Sequence, residues 1–184
     1  MIITISGFPG SGKSTVAKIL EKKLGLKRYY MGGLRREAAR KKGITLEELN
    51  KLGETDPSTD KIVDDLLFKL GKTEDNFIAE GRTAFYFIPN SIKFFLDIDL
   101  KEGARRTFEE KKKGSDRNET ITKTVEEELE LHKERIENDR RRYKKYYGFD
   151  CYDTSKYDFV IDTTNLSPEE VAEKMMMLIK NFKL

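Results

Sequence analysis

The segment "IITISGFPGSGKST" (2–15) decides the fold of this chain. It begins with a short apolar, β-branched run (2–6) that ends at a glycine, as buried strands do. It ends in an amphipathic helix, predicted over 13–24 from its spacing of apolar residues. Between the two, "GFPGSGKS" (7–14) matches the pattern G-x-x-x-x-G-K-[ST] in full. A strand, this loop and a helix, in that order, predict a P-loop that binds the phosphates of a nucleotide.

The residues of this loop have predicted roles in holding ATP. Its glycines allow successive N–H groups to point into one concavity, and the helix N-terminus adds partial positive charge there. Lys13 can reach the β- and γ-phosphates, the Ser14 hydroxyl can ligate Mg²⁺, and Thr15 follows on the α-phosphate side. The alternative is a glycine-rich turn that precedes a lysine by chance. The predicted ATP-binding residues of the loop are Gly7, Pro9, Gly10, Ser11, Gly12, Lys13, Ser14 and Thr15.

The rest of the chain alternates strand-like and helix-like runs, which favours an α/β fold with a parallel sheet covered by helices. The last helix is predicted to begin at "SPEE" (167–170), where serine is the N-cap and proline the first helical residue. Two helical stretches, 32–72 and 100–147, are predicted to lie over the edge of the sheet, the second with a polar break at "KKKGSDRNET". Further strands are predicted at 27–31, 76–81, 92–98 and 158–162.

Composition limits the classes of protein that this chain can be. With 36 basic and 33 acidic residues in 184, the net charge of +3 is low for a nucleic-acid-binding protein. A single cysteine, Cys151, excludes an internal disulfide and a cysteine-rich zinc site. No run approaches the ~18 apolar residues of a membrane helix, and "MIITISG" becomes glycine-rich too early for a signal peptide. We therefore expect a cytoplasmic protein, a monomer, with no nucleic-acid or membrane partner.

A P-loop by itself indicates a nucleotide but not a reaction. GTP-binding switch proteins read guanine with an N-K-x-D stretch, which this chain lacks, and motor or AAA-type ATPases need a longer chain. A compact kinase that moves the γ-phosphoryl group of ATP to a small acceptor fits what remains.

The stretch "RIENDRRR" (135–142) indicates where that acceptor binds. Between 121 and 147 a stripe with helical spacing contains Ile121, Val125, Leu129, His132, Ile136, Asp139, Tyr143 and Tyr147. Asp139 would thus point inward, where an unpaired carboxylate is costly, and Arg135 and Arg142 share its face. Two guanidiniums around an acid suit a small phosphorylated molecule, although a structural Arg–Asp–Arg ion network is the alternative. His132 has no metal-ligand neighbours at suitable spacing and is predicted to be non-catalytic.

The chain resembles the nucleoside monophosphate kinases, and most closely the archaeal-type cytidylate kinases. The resemblance covers nearly the whole chain and depends on the order of "GFPGSGKST", "GGLRREAARKKGITLEEL", "EGR", "RIENDRRRYKKYYGFD" and "YDFVIDTTNLSPEEV". It implies a P-loop kinase fold with a five-stranded parallel sheet of order 2-3-1-4-5 and helices on both faces. It also implies one domain, 1–184, with transfer of the ATP γ-phosphoryl group to CMP or dCMP. Within that domain the core would be 1–31, 73–104 and 148–184, the helical acceptor-binding arm 32–72 and the lid 105–147.

The same resemblance implies roles for side chains outside the P-loop. Arg36 and Arg82 would bind the acceptor's phosphate, Asp139 its sugar, and Arg135 and Arg142 would act on phosphate together with Lys13 as the catalytic residues. Glu80 would hold Mg²⁺ through water, beside Ser14, and Arg106 would pack on adenine. Glu80 and Arg82 are also well placed independently, because open α/β sheets bind ligands at the carboxyl ends of their strands. For Arg36 the alternative is an exposed helix arginine.

The base preference stays open at this point. Gly33 and Leu34 replace residues common in relatives, and nothing in the sequence identifies the groups that would read cytosine. A kinase of the same fold that prefers UMP or AMP is one alternative. A nucleic-acid-linked ATPase or RNA-processing kinase is another, supported only by the run of basic residues.

Overall fold

Five parallel strands form the centre of the computed structural model, which describes residues 1–114 and 118–182. They lie in the order β2-β3-β1-β4-β5, which confirms the predicted sheet. The bounds of the strands are β1 Ile2–Gly7, β2 Lys27–Tyr30, β3 Phe77–Glu80, β4 Ile92–Asp97 and β5 Phe159–Asp162.

Helices cover both faces of this sheet, as the fold prediction requires. Helices α1 and α8 share a buried cluster with one face, whereas α4, α5 and α7 contribute to two clusters on the other. The bounds of the helices are α1 Lys13–Leu24, α2 Met31–Lys41, α3 Leu46–Gly53, α4 Ser58–Thr73, α5 Ala84–Phe87, α6 Leu100–Lys112, α7 Val125–Tyr147 and α8 Pro168–Asn181.

The alternation of side chains along the strands produces this layering. In β4, Phe94 and Leu96 face the α1–α8 cluster, while Phe95 faces the cluster that contains Ile136 of α7. Each of these β4 side chains is fully buried. Strands buried on both faces read as near-continuous apolar runs, which is why the sheet could be recognised in the sequence.

The predicted capping signal of the last helix is confirmed. Ser167 accepts a hydrogen bond from the backbone N–H of Glu170, and the Glu170 carboxylate accepts one from the N–H of Ser167. This reciprocal pair satisfies two of the donors that a helix start leaves without partners.

The long helix in the second insertion begins later than its apolar spacing predicts. Ile121 is 89% exposed and lies before α7, so its place in the inward stripe was wrong. Thr124 ends the irregular segment, because its side chain accepts a hydrogen bond from the N–H of Glu127 and caps the helix there. Residues 115–117, which belong to the predicted lid, lie outside the described residues. The division into core, arm and lid stays a prediction.

Within the described ranges, no helix combines the length and apolar character that crossing a bilayer requires.

Candidate active site

A cleft of about 440 Å³ lies at the carboxyl end of the sheet, where β1 and β3 end. Side chains from distant parts of the chain meet there, because parallel strands bring all their carboxyl ends to one edge. The predicted site residues that line the cleft are Pro9, Gly10, Gly12, Lys13, Ser14, Thr15, Arg36, Glu80, Arg82, Arg106 and Arg135.

Two glycines allow the P-loop to fold against its neighbours. Gly10 has φ +76°, and a Cβ atom there would lie 2.2 Å from the carbonyl oxygen of Gly103 in α6. Gly7 has φ +143°, and its Cβ would lie 2.1 Å from the oxygen of Leu96 in β4. Any side chain at either position would therefore collide with backbone atoms, in addition to the strain of a left-handed conformation.

Lys13 lies over the loop that it follows in sequence. Its ammonium group donates hydrogen bonds to the carbonyl oxygen of Phe8 and, at 3.2 Å, to the hydroxyl of Ser11. The charge is thereby held above the concavity that the loop forms, where the phosphate-binding role requires it.

Glu80 lies at the end of β3 and is almost completely buried. Burial raises the pKa of its carboxyl group, while Arg28, Ser14 and Lys13 act in the opposite direction. One oxygen, Oε1, pairs with the guanidinium of Arg28. The other, Oε2, is buried and has no hydrogen-bond partner within the part of the chain that the structure describes.

Arg36, Arg82 and Arg135 line the opposite part of the cleft. Arg36 comes from α2, and its Nε donates a hydrogen bond of 3.1 Å to Oε1 of Glu119. Arg135 of α7 lies 3.6 Å from that same oxygen. Burial lowers the pKa of Arg135, and the nearby positive charge of Arg82 lowers it further.

Arg82 and Asp139 form a buried ion pair next to these groups. The Tyr152 hydroxyl connects the two, because it accepts from Nε of Arg82 at 2.8 Å and donates to Oδ2 of Asp139 at 2.9 Å. Burial disfavours the ionised form of Asp139, but Arg82, Arg142 and Arg135 outweigh it and lower the pKa. Asp139 therefore carries its negative charge at neutral pH.

Arg142 does not line the cleft, and neither do three other predicted site residues, Gly7, Ser11 and Asp139. Its side chain is 1% exposed, donates to Asp139 at 2.9 Å and lies 2.9 Å from Asp60 of α4. It lines a smaller cavity of about 40 Å³, together with Arg35 and Asp60. The inward direction predicted from its spacing on α7 is thus correct, and its catalytic role stays a prediction.

Arg106 lines the part of the cleft next to the loop after β5. It donates to the carbonyl oxygens of Thr163 and Thr164 at 3.1 and 2.8 Å, and to Glu102 at 2.9 Å. Leu166 lines the same end of the cleft. A flat cation beside an apolar side chain is a suitable environment for a purine ring.

The matching protein-family model places this chain among known proteins: residues 2–165 match the model described as the cytidylate kinase-like family. The chain belongs to the cytidylate kinase-like family. The cytidylate kinase of Sulfurisphaera tokodaii is 40% identical over 186 residues, which cover 100% of this chain and 97% of that protein. The cytidylate kinase of Archaeoglobus fulgidus is 35% identical over 185 residues, with coverage of 100% and 97%.

Solved structures support the P-loop kinase fold. A shikimate kinase from Bacteroides thetaiotaomicron superposes with a TM-score of 0.66 at 15% identity, covering 98% of both chains. An uncharacterized protein from Eubacterium ventriosum gives a TM-score of 0.72 at 19% identity, covering 99% of both. These likenesses concern the fold.

Sequence reasoning missed three side chains that complete the site in this family member. Arg28 pairs with Glu80, Glu119 contacts Arg36, and Tyr152 joins Arg82 to Asp139. Only Arg28 had a local signal, as a basic residue inside the predicted strand "KRYYM" (27–31). Tyr152 also stacks on Phe8 of the P-loop, with 4.9 Å between ring centroids and 11° between planes.

His132 lies at the wall of the cleft but is held by its own helix. Its side chain is buried, and Nε2 lies 3.5 Å from the carboxylate of Glu128, one turn earlier. Burial lowers its pKa, so the ring is neutral at pH 7. The prediction that it is non-catalytic stays a prediction.

Proposed function

We propose that this protein transfers the γ-phosphoryl group of ATP to CMP or dCMP, giving CDP or dCDP. The observation that carries the proposal is the pairing, in one cleft, of a P-loop with the guanidiniums of Arg36, Arg82 and Arg135. Phosphoryl transfer needs donor and acceptor aligned and positive charge around the moving group, and this arrangement supplies both. The cytidylate kinases at 35–40% identity support the choice of acceptor.

On the donor side, the P-loop amides and Lys13 would hold the triphosphate of ATP, with the adenine between Arg106 and Leu166. Arg106 is already oriented for this role by Glu102, whose pKa is lowered to about 2 by Arg105 and Arg106. A fixed guanidinium loses little conformational entropy when a ring packs on it.

Ser14 and Glu80 would hold Mg²⁺ at the phosphates. Both offer oxygen ligands, and the unpartnered buried Oε2 of Glu80 fits the need for a further contact, direct or through water. Magnesium commonly takes one or two protein oxygens, keeping water and phosphate oxygens for the rest of its shell. Consistent with that, residues 1–114 and 118–182 contain no group of three or more acidic, histidine or cysteine side chains suited to a metal. When bound, the ion would neutralise charge on the transferred phosphoryl group.

On the acceptor side, Arg36, Arg82 and Arg135 would bind the phosphate of CMP, and Asp139 its sugar. Planar guanidiniums bind phosphate oxygens in pairs, which gives orientation as well as affinity. The attacking phosphate oxygen is already ionised at neutral pH, so no general base is required.

The polar groups around the smaller cavity are those we propose to read the base, and since about 40 Å³ holds little more than a water molecule, the cavity would have to widen to admit the edge of the base. Asp60 lies there between Arg35 and Arg142, and Arg35 donates to the side chain of Asn50 at 2.9 Å. Cytosine presents an amino donor beside two acceptors, and an acid flanked by guanidiniums complements that pattern. Uracil would instead direct a carbonyl oxygen toward the acid, which favours CMP over UMP.

The test of the proposal is ATP consumption with Mg²⁺ and a panel of CMP, dCMP, UMP, AMP and GMP. We expect the highest kcat/KM with CMP and dCMP. Equal or better turnover of UMP or AMP would move the assignment to another kinase of the same fold. Absence of turnover with every monophosphate, together with steeply salt-dependent RNA binding, would contradict it altogether.

The acceptor site is tested separately by Arg36→Ala and Arg135→Ala. Each change should lower kcat/KM for CMP. The fall should correspond to a loss of about 2–4 kcal/mol of transition-state stabilisation, because a buried charge-assisted contact to phosphate is lost. The KM for ATP should stay nearly constant. Arg141→Ala is the matched control on α7, since Arg141 is exposed and pairs with Glu54 at 2.7 Å. Wild-type kinetics in both test variants would show that the acceptor's phosphate binds elsewhere.

A further inference from the structure

Glu119 places a carboxylate among the arginines assigned to the acceptor's phosphate. Its side chain is only 4% exposed, although it belongs to the irregular segment between α6 and α7. Oε1 accepts hydrogen bonds from Nε and Nη2 of Arg36, at 3.1 and 2.5 Å, and lies 3.6 Å from Arg135. Burial opposes the charged form of Arg36, but Glu119 outweighs it and raises the pKa of the guanidinium.

The residues on either side of Glu119 fix its backbone to the helical arm. Asn118 accepts a hydrogen bond from the N–H of Leu46 at 3.0 Å, and its side chain donates to the oxygen of Ile44 at 2.7 Å. The N–H of Thr120 donates to Glu47 at 3.1 Å. Because two of these contacts hold the main chain and the third holds the Asn118 side chain, rotation of the Glu119 side chain is enough to remove its carboxylate from the arginines.

The charges of this cluster explain what Glu119 does there. Among the described residues, Arg82 pairs with Asp139, whereas Arg36 and Arg135 share the single carboxylate of Glu119, so these two guanidiniums carry one positive charge more than it balances. Exchanging Glu119 for a phosphate dianion brings the cluster to neutrality. Holding both would make it negative, at a buried position where excess charge is costly.

We propose that Glu119 is a resident anion, which occupies the position of the acceptor's phosphate and is exchanged for it when the acceptor binds. This inference rests on the proposed function, because it takes Arg36 and Arg135 as the phosphate ligands. The exchange imposes the same cost on every phosphate that enters, so only a ligand with further contacts recovers it. Inorganic phosphate must break the contacts of Glu119 without compensation, whereas a nucleoside monophosphate gains the contacts of its sugar and base in return.

The test is Glu119→Gln, which keeps the shape of the side chain and removes its charge. Calorimetry should show that the variant binds inorganic phosphate and CMP about tenfold more tightly than wild type, because one charge-assisted contact no longer competes. Cytidine, which has no phosphate to exchange, should bind both proteins equally. Glu134→Gln, an exposed change on α7 with the same difference in charge, should leave all three affinities unchanged.

The outcomes separate this inference from the proposed function. Unchanged or weaker binding of phosphate and CMP by Glu119→Gln, with normal turnover of CMP by wild type, would overturn the inference alone. Failure of wild type to use any monophosphate, with tighter phosphate binding by the variant, would overturn the proposed function alone. Glu119→Asp keeps the charge and shortens the side chain, so its affinities should lie between those of wild type and Glu119→Gln. The melting temperature of each variant without ligand checks that it folds.

Discussion

The two regions of this cleft that we propose bind phosphate are built in opposite ways. The P-loop binds through backbone amides and one lysine, all within residues 7–15, and its shape depends on glycine at positions such as Gly10. The arginine cluster would bind through the side chains of Arg36, Arg82 and Arg135, which come from α2, from the segment after β3 and from α7 and lie up to about a hundred residues apart in sequence. Its shape depends on the whole fold.

The difference has an electrostatic cost. Backbone amides carry no net charge, so the P-loop is stable without a ligand. Guanidiniums gathered in a buried place repel one another, and here Asp139, Asp60 and Glu119 lie against them. A side-chain site therefore needs acids placed beside it, which a backbone site does not.

The largest expected effect tests whether the donor site is mainly a backbone site. Lys13→Ala should lower kcat by about 10³-fold, because its charge stabilises the phosphoryl group as it moves. The KM for ATP should rise by much less, since the amides of the loop remain. Steady-state kinetics with ATP and CMP measure both. Lys18→Ala, an exposed change one turn later on α1, is the control. If Lys13→Ala raised the KM for ATP and left kcat unchanged, the lysine, and not the backbone amides, would provide most of the affinity for ATP.

A smaller effect is expected where the two regions touch. Tyr152→Phe keeps the ring that stacks on Phe8 and removes the hydroxyl between Arg82 and Asp139. The KM for CMP should rise about tenfold, with kcat changed little, because a bond that orients the acceptor's ligands is lost.

Tyr157→Phe is the matched control for this change. Its buried hydroxyl donates to the carbonyl oxygen of Cys151 at 2.7 Å and does not join Arg82 to Asp139. It should lower the melting temperature without changing the KM for CMP. Equal effects of the two variants on KM would show that Tyr152 acts only through stability.

The smallest effect concerns the acids around the cluster. Burial raises the pKa of Asp64 to about 6, and the negative charge of Asp60 adds to the shift, whereas its hydrogen bond from Tyr147 opposes it. The native state thus holds a proton that the unfolded chain releases near pH 4, so this group's contribution to stability falls as pH rises from about 4 to 6.

Asp64→Asn should remove that dependence and stabilise the protein at pH 7 by roughly 1 kcal/mol, after allowing for partial solvent screening. Urea unfolding at several pH values measures it. A stability gap between the two proteins that is the same at pH 4 and pH 7 would contradict the assignment.

The same contrast explains what the sequence could and could not predict. The strands and the P-loop follow from short local patterns, whereas the order of the strands was implied by the family resemblance. Asp139 could be placed on an inward face because helical spacing fixes direction. Residues that contact the predicted site residues from distant parts of the chain had no such signal. Glu119 lies in an irregular polar segment, and Tyr152 follows a helix by several residues. Ile121 fitted the spacing but not the helix, because a threonine cap three residues later decided where the helix begins. Residues that depend on the fold as a whole are found only once the fold is known.

The contact between Gly10 and Gly103 limits how the enzyme can move. The two backbones meet without side chains between them, since a Cβ on Gly103 would also lie 2.8 Å from the oxygen of Pro9. The first turn of α6 is thus packed tightly against the P-loop, and the two should move as one unit. If the predicted lid opens and closes, its hinge would therefore lie after Gly103, and the P-loop would keep its shape while the lid moves.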